Sequence, residues 1–161
     1  MSSNKESTVN LLEFLPVSAI AVDLKGETKK EIFQEMVQVL TAAHNIKNSE
    51  KILDALVERE NLGSTGIGMG IAIPHGKSDS VNNVIAALGI SKKGVNFDSL
   101  DGEPAHLFFT LVAPTNSSGL HLKILAKISR LLKDKLFREG LRQAINAEEV
   151  IRKIKTESEL A

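Results

Sequence analysis

The sequence contains no cysteine, tryptophan or tyrosine among its 161 residues. Without cysteine the chain can form no disulfide, no zinc–thiolate site and no thiol nucleophile, a composition that fits a reducing compartment. Without tryptophan or tyrosine, any platform for stacking nucleic-acid bases would have to be built from six phenylalanines. We therefore expect neither thiol chemistry nor binding to single-stranded nucleic acid.

The chain also lacks an excess of charge of either sign, because 20 basic side chains balance 20 acidic ones. A net charge of zero provides no general attraction to nucleic acid or to an anionic membrane. The N-terminal MSSNKESTVN has no signal-peptide pattern, and the longest apolar run, near Leu107 to Ala113, is far too short to span a bilayer. We expect a cytoplasmic protein that binds no nucleic acid and does not insert into a membrane.

Strand-like apolar runs alternate with helical periodicity along the chain. The strand-like runs are at 18–22, 84–90 and 107–112, and the helical ones at 28–44, 49–60, 120–133, 137–145 and from 146 onward. Alternating elements pack as helices on a sheet, and the short connection between residues 90 and 107 allows an antiparallel pair. We predict one α/β domain, with a mixed β-sheet flanked by helices on both faces, at 11–156 between tails at 1–10 and 157–161.

The helices carry signals for their ends and for their buried faces. Thr28 and Glu31 have capping-box spacing, and Ser49-Glu50 can cap the second helix, which ends at Glu58-Arg59-Glu60. The positions expected to face inward are Ile32, Phe33, Met36, Val37 and Leu40, then Ile52, Leu53, Leu56 and Val57, and finally Leu122, Leu125, Ile128, Leu131 and Leu132. The amphipathic helix at 120–133 could instead bind DNA or a membrane surface, but its apolar face is more typical of a core.

Four glycines lie between Gly63 and Gly70, which indicates a loop with unusual backbone freedom. Known phosphate-binding patterns fail here, since a P-loop ending at Gly76-Lys77-Ser78 would need a glycine in place of Ile71, and a dinucleotide site needs a helix where a strand follows. The histidines also lack the spacing of a metal site. We expect no metal and no cofactor.

The same loop could bind an anion such as phosphate through successive backbone N–H groups. The residues assigned to this phosphoryl-binding set are Gly63, Ser64, Thr65, Gly66, Gly68 and Gly70. His75 follows in GIAIPHGK, and we predict that it lies at a strand's end at the rim of the sheet, held by Pro74. A neutral imidazole is a usable nucleophile near neutral pH. The alternative is a structural histidine bonded within a loop.

The segment from Glu60 through LGSTGIGMGIAIPHG resembles the phosphorylation-site signature of the fructose/mannitol-type enzyme IIA domains of the bacterial phosphoenolpyruvate-dependent sugar phosphotransferase system. The resemblance extends through LFFTLVAP and GLHLKILAKISRLL, over most of the chain. It implies a phosphocarrier in which His75 accepts a phosphoryl group from phosphorylated HPr and passes it to a sugar-specific IIB component. It also implies that His121 is the second active-site histidine and that Arg59 contacts the phosphoryl group.

Simpler interpretations of these two residues stay open. Arg59 could form a surface ion pair with Glu58 or Glu60, and His121, in the first turn of its helix, could be a surface residue. His44 and His106 carry no functional signal and are left out of the site.

The family subtype is also open. The ending Pro-His-Gly-Lys fits the nitrogen-regulatory branch of the family at least as well as the fructose-specific one. A protein whose phosphorylation state controls its binding to regulatory partners is therefore the alternative to a carrier in sugar transport.

Overall fold

The computed structural model describes residues 9–117 and 119–160. Within these residues the helices are α1 (Lys29–His44), α2 (Ser49–Asn61), α3 (Leu120–Leu131), α4 (Lys135–Arg142) and α5 (Ala147–Leu160). The strands are β1 (Ile20–Ala21), β2 (Gly66–Gly68), β3 (Ile71–Ala72), β4 (His75–Lys77), β5 (Ile85–Val95) and β6 (Ala105–Ala113). Two short 3₁₀ turns, Leu11–Glu13 and Val17–Ala19, precede β1.

The six strands form one sheet in the order β1-β5-β6-β3-β2, and β4 also pairs with β6. The β5–β6 and β2–β3 pairs are antiparallel, whereas β1 runs parallel to β5 and both β3 and β4 run parallel to β6. The sheet is therefore mixed, and β5 and β6 lie at its centre as their apolar runs predict.

Helices cover both faces of this sheet. Side chains alternate along β6, so its residues show which helix lies on each face. Phe108 lies on one face, with its ring centroid 5.3 Å from that of Phe97, which is 5.6 Å from that of Phe33 in α1. Leu111 has the opposite orientation and lines a cavity together with Leu125 of α3. This arrangement confirms the predicted fold class, a single α/β domain with a mixed sheet.

The helix boundaries agree with the capping signals, with one correction. The capping box at Thr28 and Glu31 is present, and α1 ends where Asn45 adopts a left-handed conformation, with φ of 58°. The cap of α2 is Asn48 and not Ser49, because its side-chain oxygen accepts a hydrogen bond from the backbone N–H of Lys51 at 3.2 Å. Asparagine and serine cap a helix equally well, so the sequence alone could not choose between adjacent candidates.

Two positions predicted to face the core, Val57 and Leu122, do not. Val57 is exposed because it lines a surface groove between α1 and α2, whereas Leu53, beside the same groove, is half-buried and packs against the core. Leu122 is also exposed, since the buried face of α3 is formed by Ile124, Ile128 and Leu131.

The strand predictions near the glycine-rich segment and at the start of the domain also need correction. Part of that segment, Gly66–Gly68, is strand β2 and not loop. His75 does not end the preceding strand, because β3 stops at Ala72 and His75 is the first residue of β4. The strand predicted at 18–22 is a turn followed by two strand residues.

Both ends of the predicted domain can be compared with the structure in part. Leu11 is buried in the first 3₁₀ turn, whereas residues 1–8 of the predicted N-terminal tail lie outside the described residues. Helix α5 continues to Leu160, through most of the segment predicted as a C-terminal tail, and residue 161 is again outside the described part. Over 9–117 and 119–160, every helix is too short or too polar to cross a bilayer.

Gly89 provides a test of how tightly α1 packs on the sheet, and Gly140, in a more open position, provides the comparison. A Cβ at Gly89 of β5 would overlap the sulfur of Met36 and come within 2.6 Å of a methyl carbon of Leu24, so Gly89→Ala should lower the free energy of unfolding by about 1–3 kcal/mol. A Cβ at Gly140 of α4 would have no contact tighter than 3.5 Å, so Gly140→Ala should raise the free energy of unfolding by about 0.4–1 kcal/mol. Urea unfolding measures both, and equal stabilities would contradict the packing described.

Candidate functional site

A surface cavity of about 390 Å³ lies where β4, the C-terminal end of α2 and the N-terminal end of α3 meet. Its polar lining consists of Glu58, Arg59, His75, Lys77 and His121, and its apolar lining includes Leu62, Leu111, Leu122 and Leu125. The two histidines and the arginine proposed from the sequence therefore share one cavity, although they are 16 to 62 positions apart in the chain.

Strand β4 presents His75 and Lys77 on one side and its glycine on the other. His75 is in register with Leu111 of β6 and Lys77 with Ala113, so both side chains lie on the α3 face of the sheet. Gly76, between them, faces α2, where an added Cβ would be 2.8 Å from the carbonyl oxygen of Ala55. The absence of a side chain at Gly76 therefore allows β4 to lie directly against α2.

A hydrogen bond fixes the tautomer of the His75 ring. Its Nδ1 lies 2.8 Å from the carbonyl oxygen of Ile73. A carbonyl oxygen can only accept, so Nδ1 carries the hydrogen and Nε2 keeps its lone pair when the ring is neutral. The ring is thus held in an orientation that leaves Nε2 as its nucleophilic atom.

Arg59 is held by the loop that follows α2. Its guanidinium donates a hydrogen bond of 2.9 Å to the carbonyl oxygen of Gly63. The side chain of Glu60 is bonded elsewhere, and no carboxylate of residues 9–117 or 119–160 lies within ion-pair distance of Arg59. The surface ion pair considered from the sequence is therefore absent, and most of the guanidinium donors stay available to an anion.

His121 is the second residue of α3 and lines the cavity from the side of that helix. Its Nδ1 lies 3.0 Å from the hydroxyl oxygen of Ser117. Burial lowers the pKa of His121 below its ordinary value of 6.5, and the positive charge of Lys77 nearby lowers it further. His121 is therefore a neutral hydrogen-bonding group near pH 7.

The glycine-rich segment does not line this cavity. Several of its N–H groups have partners within the fold: that of Gly63 donates to the backbone carbonyl of Glu60 at 3.1 Å, and that of Thr65 to the Glu60 carboxylate at 3.1 Å. The N–H of Gly66 donates to the hydroxyl of Ser64 at 3.0 Å, and Gly68 and Gly70 belong to the β2–β3 hairpin. The six residues assigned to phosphoryl binding are therefore not among the residues that line the cavity beside His75, and the contacts described hold the segment within the fold.

Sequence reasoning missed Lys77 as part of the cavity. The signal was present, because residues two apart on a strand share a face and Lys77 is two residues after His75.

The two histidines left out of the site have structural contacts: Nε2 of His44 lies 2.9 Å from the carbonyl oxygen of Ala86, and Nδ1 of His106 lies 2.9 Å from that of Ser91. Over the described ranges, no group of three or more acidic or histidine side chains could hold a metal ion.

These observations define a class of protein: an α/β domain with a mixed sheet and a cavity beside β4 that contains two histidines. Residues 13–157 match the model of the family described as "Phosphoenolpyruvate-dependent sugar phosphotransferase system, EIIA 2". This match covers most of the chain, and the protein belongs to that family. The resemblance recognised in the sequence is confirmed.

Relatives of two kinds are similar to this chain. It is 38% identical over 143 residues to the "PTS system fructose-specific EIIABC component" of Bacillus subtilis, a match that covers 89% of this chain and 22% of that protein. The chain thus spans about a fifth of that relative's length. It is 34% identical over 140 residues to a "Nitrogen regulatory protein" of Bradyrhizobium diazoefficiens, covering 87% of this chain and 91% of that one.

A solved structure supports the same fold. The crystal structure of "Nitrogen Regulatory Protein IIA-Ntr" from Neisseria meningitidis superposes with a TM-score of 0.82 at 36% identity, and the match covers 88% of this chain and 97% of that one.

The electrostatics of the cavity can be tested by titration. The pKa of His121, followed by NMR of its ring protons, should lie below 6.5, because burial and the charge of Lys77 both disfavour the protonated ring. Lys77→Gln should raise this pKa, whereas Lys123→Gln, on an exposed position of α3, should leave it unchanged. A pKa of His121 at or above 6.5 would contradict the environment described.

Proposed function

We propose that this chain is a phosphocarrier of the phosphotransferase system and that Nε2 of His75 is the atom that carries the phosphoryl group. The hydrogen bond from Nδ1 to the carbonyl oxygen of Ile73 is the observation that carries this proposal, because it leaves Nε2 as the one unprotonated ring nitrogen. Membership in the EIIA family supports phosphoryl transfer as the reaction class.

In the proposed step the lone pair of Nε2 attacks phosphorus, and the P–N bond to the histidine of phosphorylated HPr breaks. The electron pair of that bond returns to the donor ring. The ring of His75 keeps its hydrogen on Nδ1 and becomes positively charged, and the carbonyl dipole of Ile73 stabilises this charge. When the group moves on to a IIB component, the same hydrogen lets His75 leave as a neutral imidazole, which is a better leaving group than an imidazolate.

We assign the stabilisation of the transferring group to Arg59 and His121, because both line the cavity that contains His75. Phosphoryl transfer asks a protein mainly for positioning and for charge stabilisation. The guanidinium of Arg59 can hold two phosphoryl oxygens at once, and Lys77 adds a second positive charge to the same cavity. If the Ser117 hydroxyl donates to Nδ1 of His121, the Nε2–H of that ring becomes a further donor for a phosphoryl oxygen.

The apolar surroundings of the cavity fit brief docking of other proteins. Leu62 is 83% exposed and Leu122 is 61% exposed, and both line the cavity beside the charged residues. Exposed leucines around a small polar centre are suited to a contact in which only the centre carries chemistry. We propose this rim as the surface on which both HPr and the IIB component dock in turn.

The proposal predicts a single phosphoryl group on His75. Phosphoenolpyruvate, enzyme I and HPr together should add the mass of one phosphoryl group to the wild-type protein, and the bond should be labile in acid and stable in base. His75→Ala should accept none. Intact-mass measurement checks both proteins.

The matched control for this experiment is His121→Ala, which removes the other ring from the cavity but leaves Nε2 of His75. It should still accept the phosphoryl group, although more slowly. Labelling that survives in His75→Ala and disappears in His121→Ala would identify His121 as the nucleophile and contradict the proposal.

The role of Arg59 predicts a different kind of defect. Arg59→Lys retains the charge but loses the planar, two-pronged donor geometry, so the rate of phosphoryl transfer should fall on the order of 100-fold while the fold is unchanged. Rapid-quench measurement of transfer from phosphorylated HPr gives the rate. An unchanged rate would return Arg59 to a structural role at the end of α2.

A regulatory role is the second candidate, and the similarity to nitrogen regulatory proteins over nine-tenths of their length supports it. In that case the same phosphorylation of His75 would change the charge of the docking rim by about −2 and so alter which partners bind. Transfer assays with the IIB components of the same organism separate the roles. Rapid transfer to one of them supports transport, and no transfer to any of them supports regulation.

A further inference from the structure

Glu60 is a buried carboxylate one residue beyond Arg59, and it does not line the cavity. Only 8% of the residue is exposed. Both of its carboxylate oxygens lie 3.1 Å from the backbone nitrogen of Thr65, and one lies 2.5 Å from the hydroxyl oxygen of the same residue. The other is 2.8 Å from the ammonium of Lys29. A buried carboxylate with this many donors is held in one position.

Lys29 makes the burial of this carboxylate possible. It comes from the first turn of α1 and also lies 3.1 Å from Asp98 and 4.8 Å from the centre of the Phe97 ring. Burial lowers the pKa of Lys29, but the hydrogen bonds and charges of Glu60 and Asp98 outweigh that effect and raise it overall, so the ammonium stays charged. Lys29 and Glu60 thus tie α1 and α2 to the connection between β5 and β6, which carries Phe97 and Asp98.

Thr65, which Glu60 holds, is connected to His75 through a short series of hydrogen bonds. The carbonyl oxygen of Thr65 accepts a bond of 3.0 Å from the N–H of Ile73. The carbonyl oxygen of Ile73 accepts the bond of 2.8 Å from Nδ1 of His75. The position of the Ile73 peptide, and with it the tautomer and orientation of the His75 ring, therefore depends on Thr65.

The same short loop holds Arg59. The N–H of Gly63 donates to the backbone carbonyl of Glu60 at 3.1 Å, and the carbonyl oxygen of Gly63 accepts from Arg59 at 2.9 Å. Because Thr65 is only two residues further along, the bond from Glu60 to Thr65 closes this loop and sets where the Gly63 carbonyl points. One carboxylate thus lies at the origin of both connections.

We propose that Glu60 is a positioning residue for phosphoryl transfer, which sets the distance and orientation of Arg59 relative to Nε2 of His75 by fixing Thr65. This inference rests on the proposed phosphocarrier function. It assigns no contact between Glu60 and the phosphoryl group. Its effect passes through two backbone peptides, and it acts on the geometry of the nucleophile and of the cation that faces it.

Glu60→Gln is the informative substitution. An amide has one acceptor oxygen and two N–H donors, so it cannot accept from the N–H and hydroxyl of Thr65 and from Lys29 together. At least one of those donors would face an N–H group. Thr65→Val removes only the hydroxyl and keeps the volume of the side chain, and Thr65→Ser keeps the hydroxyl.

The first measurement is the tautomer of His75 in the unphosphorylated protein, obtained from the ring nitrogen shifts in NMR. In the wild type the hydrogen should be on Nδ1. In Glu60→Gln and Thr65→Val the fraction with the hydrogen on Nε2 should rise, whereas Thr65→Ser should resemble the wild type. This measurement needs no donor protein, so it tests the positioning whether or not the phosphocarrier function is correct.

The second measurement is the rate of phosphoryl transfer from HPr. Displacement of reacting groups by about 1 Å costs on the order of 100-fold in rate, so kcat should fall by about that factor in Glu60→Gln while KM, set by the docking rim, changes little. Thr65→Val should show a smaller fall, and combining the two substitutions should add little to Glu60→Gln alone, because both act on one connection. Glu50→Gln, an exposed position in the first turn of α2, is the matched control and should transfer at the wild-type rate.

The outcomes separate the two hypotheses. If the wild type accepts no phosphoryl group, the phosphocarrier function fails, and the tautomer measurement alone decides the role of Glu60. If the wild type is phosphorylated and folded Glu60→Gln and Thr65→Val keep both its tautomer and its kcat, the positioning role is overturned. If Glu60→Gln does not fold, the comparison of Thr65→Val with Thr65→Ser gives the same decision.

Discussion

The pairing of β6 with strands on both of its edges is the constraint on which the rest of the structure depends. Along one edge it pairs with β5, and along the other it pairs first with β3 and then with β4. Because side chains alternate along a strand, this register decides at once that Phe108 packs toward α1 and that Leu111 packs toward α3. A shift of β6 by one residue would exchange its two faces and place Phe108 toward α3 and Leu111 toward α1.

The sequence was sufficient for the features that depend on local chemistry. The capping box at Thr28, the apolar runs of β5 and β6 and the signature around His75 all have short-range patterns, and each led to the correct element or family. What it could not provide depends on partners that are distant in the chain. The N–H groups of Gly63, Thr65 and Gly66, expected to be free, are used by the fold itself, and no local pattern reveals that the carboxylate of Glu60 takes one of them.

In the proposed carrier, the nucleophile and the groups that stabilise negative charge are held in place before any phosphoryl group arrives. His75 has a defined tautomer, Arg59 has a defined anchor and His121 is kept neutral by burial and by the charge of Lys77. In the proposed reaction little has to reorganise as negative charge enters the cavity, and this preorganisation is what lowers a barrier to group transfer. In the proposed carrier, the exposed leucines beside these groups form the surface on which its protein partners dock.

The walls of the cavity are the end of α2, strand β4 and the start of α3, and the glycine at position 76 keeps strand and helix in direct contact. His75 lines this cavity at the surface of the protein. In the proposed carrier, phosphorylated His75 would therefore be accessible to solvent as well as to the next protein, so that hydrolysis competes with delivery. The fraction of the protein phosphorylated on His75 would then report how recently the donor supplied the group, over a time set by the lifetime of the P–N bond.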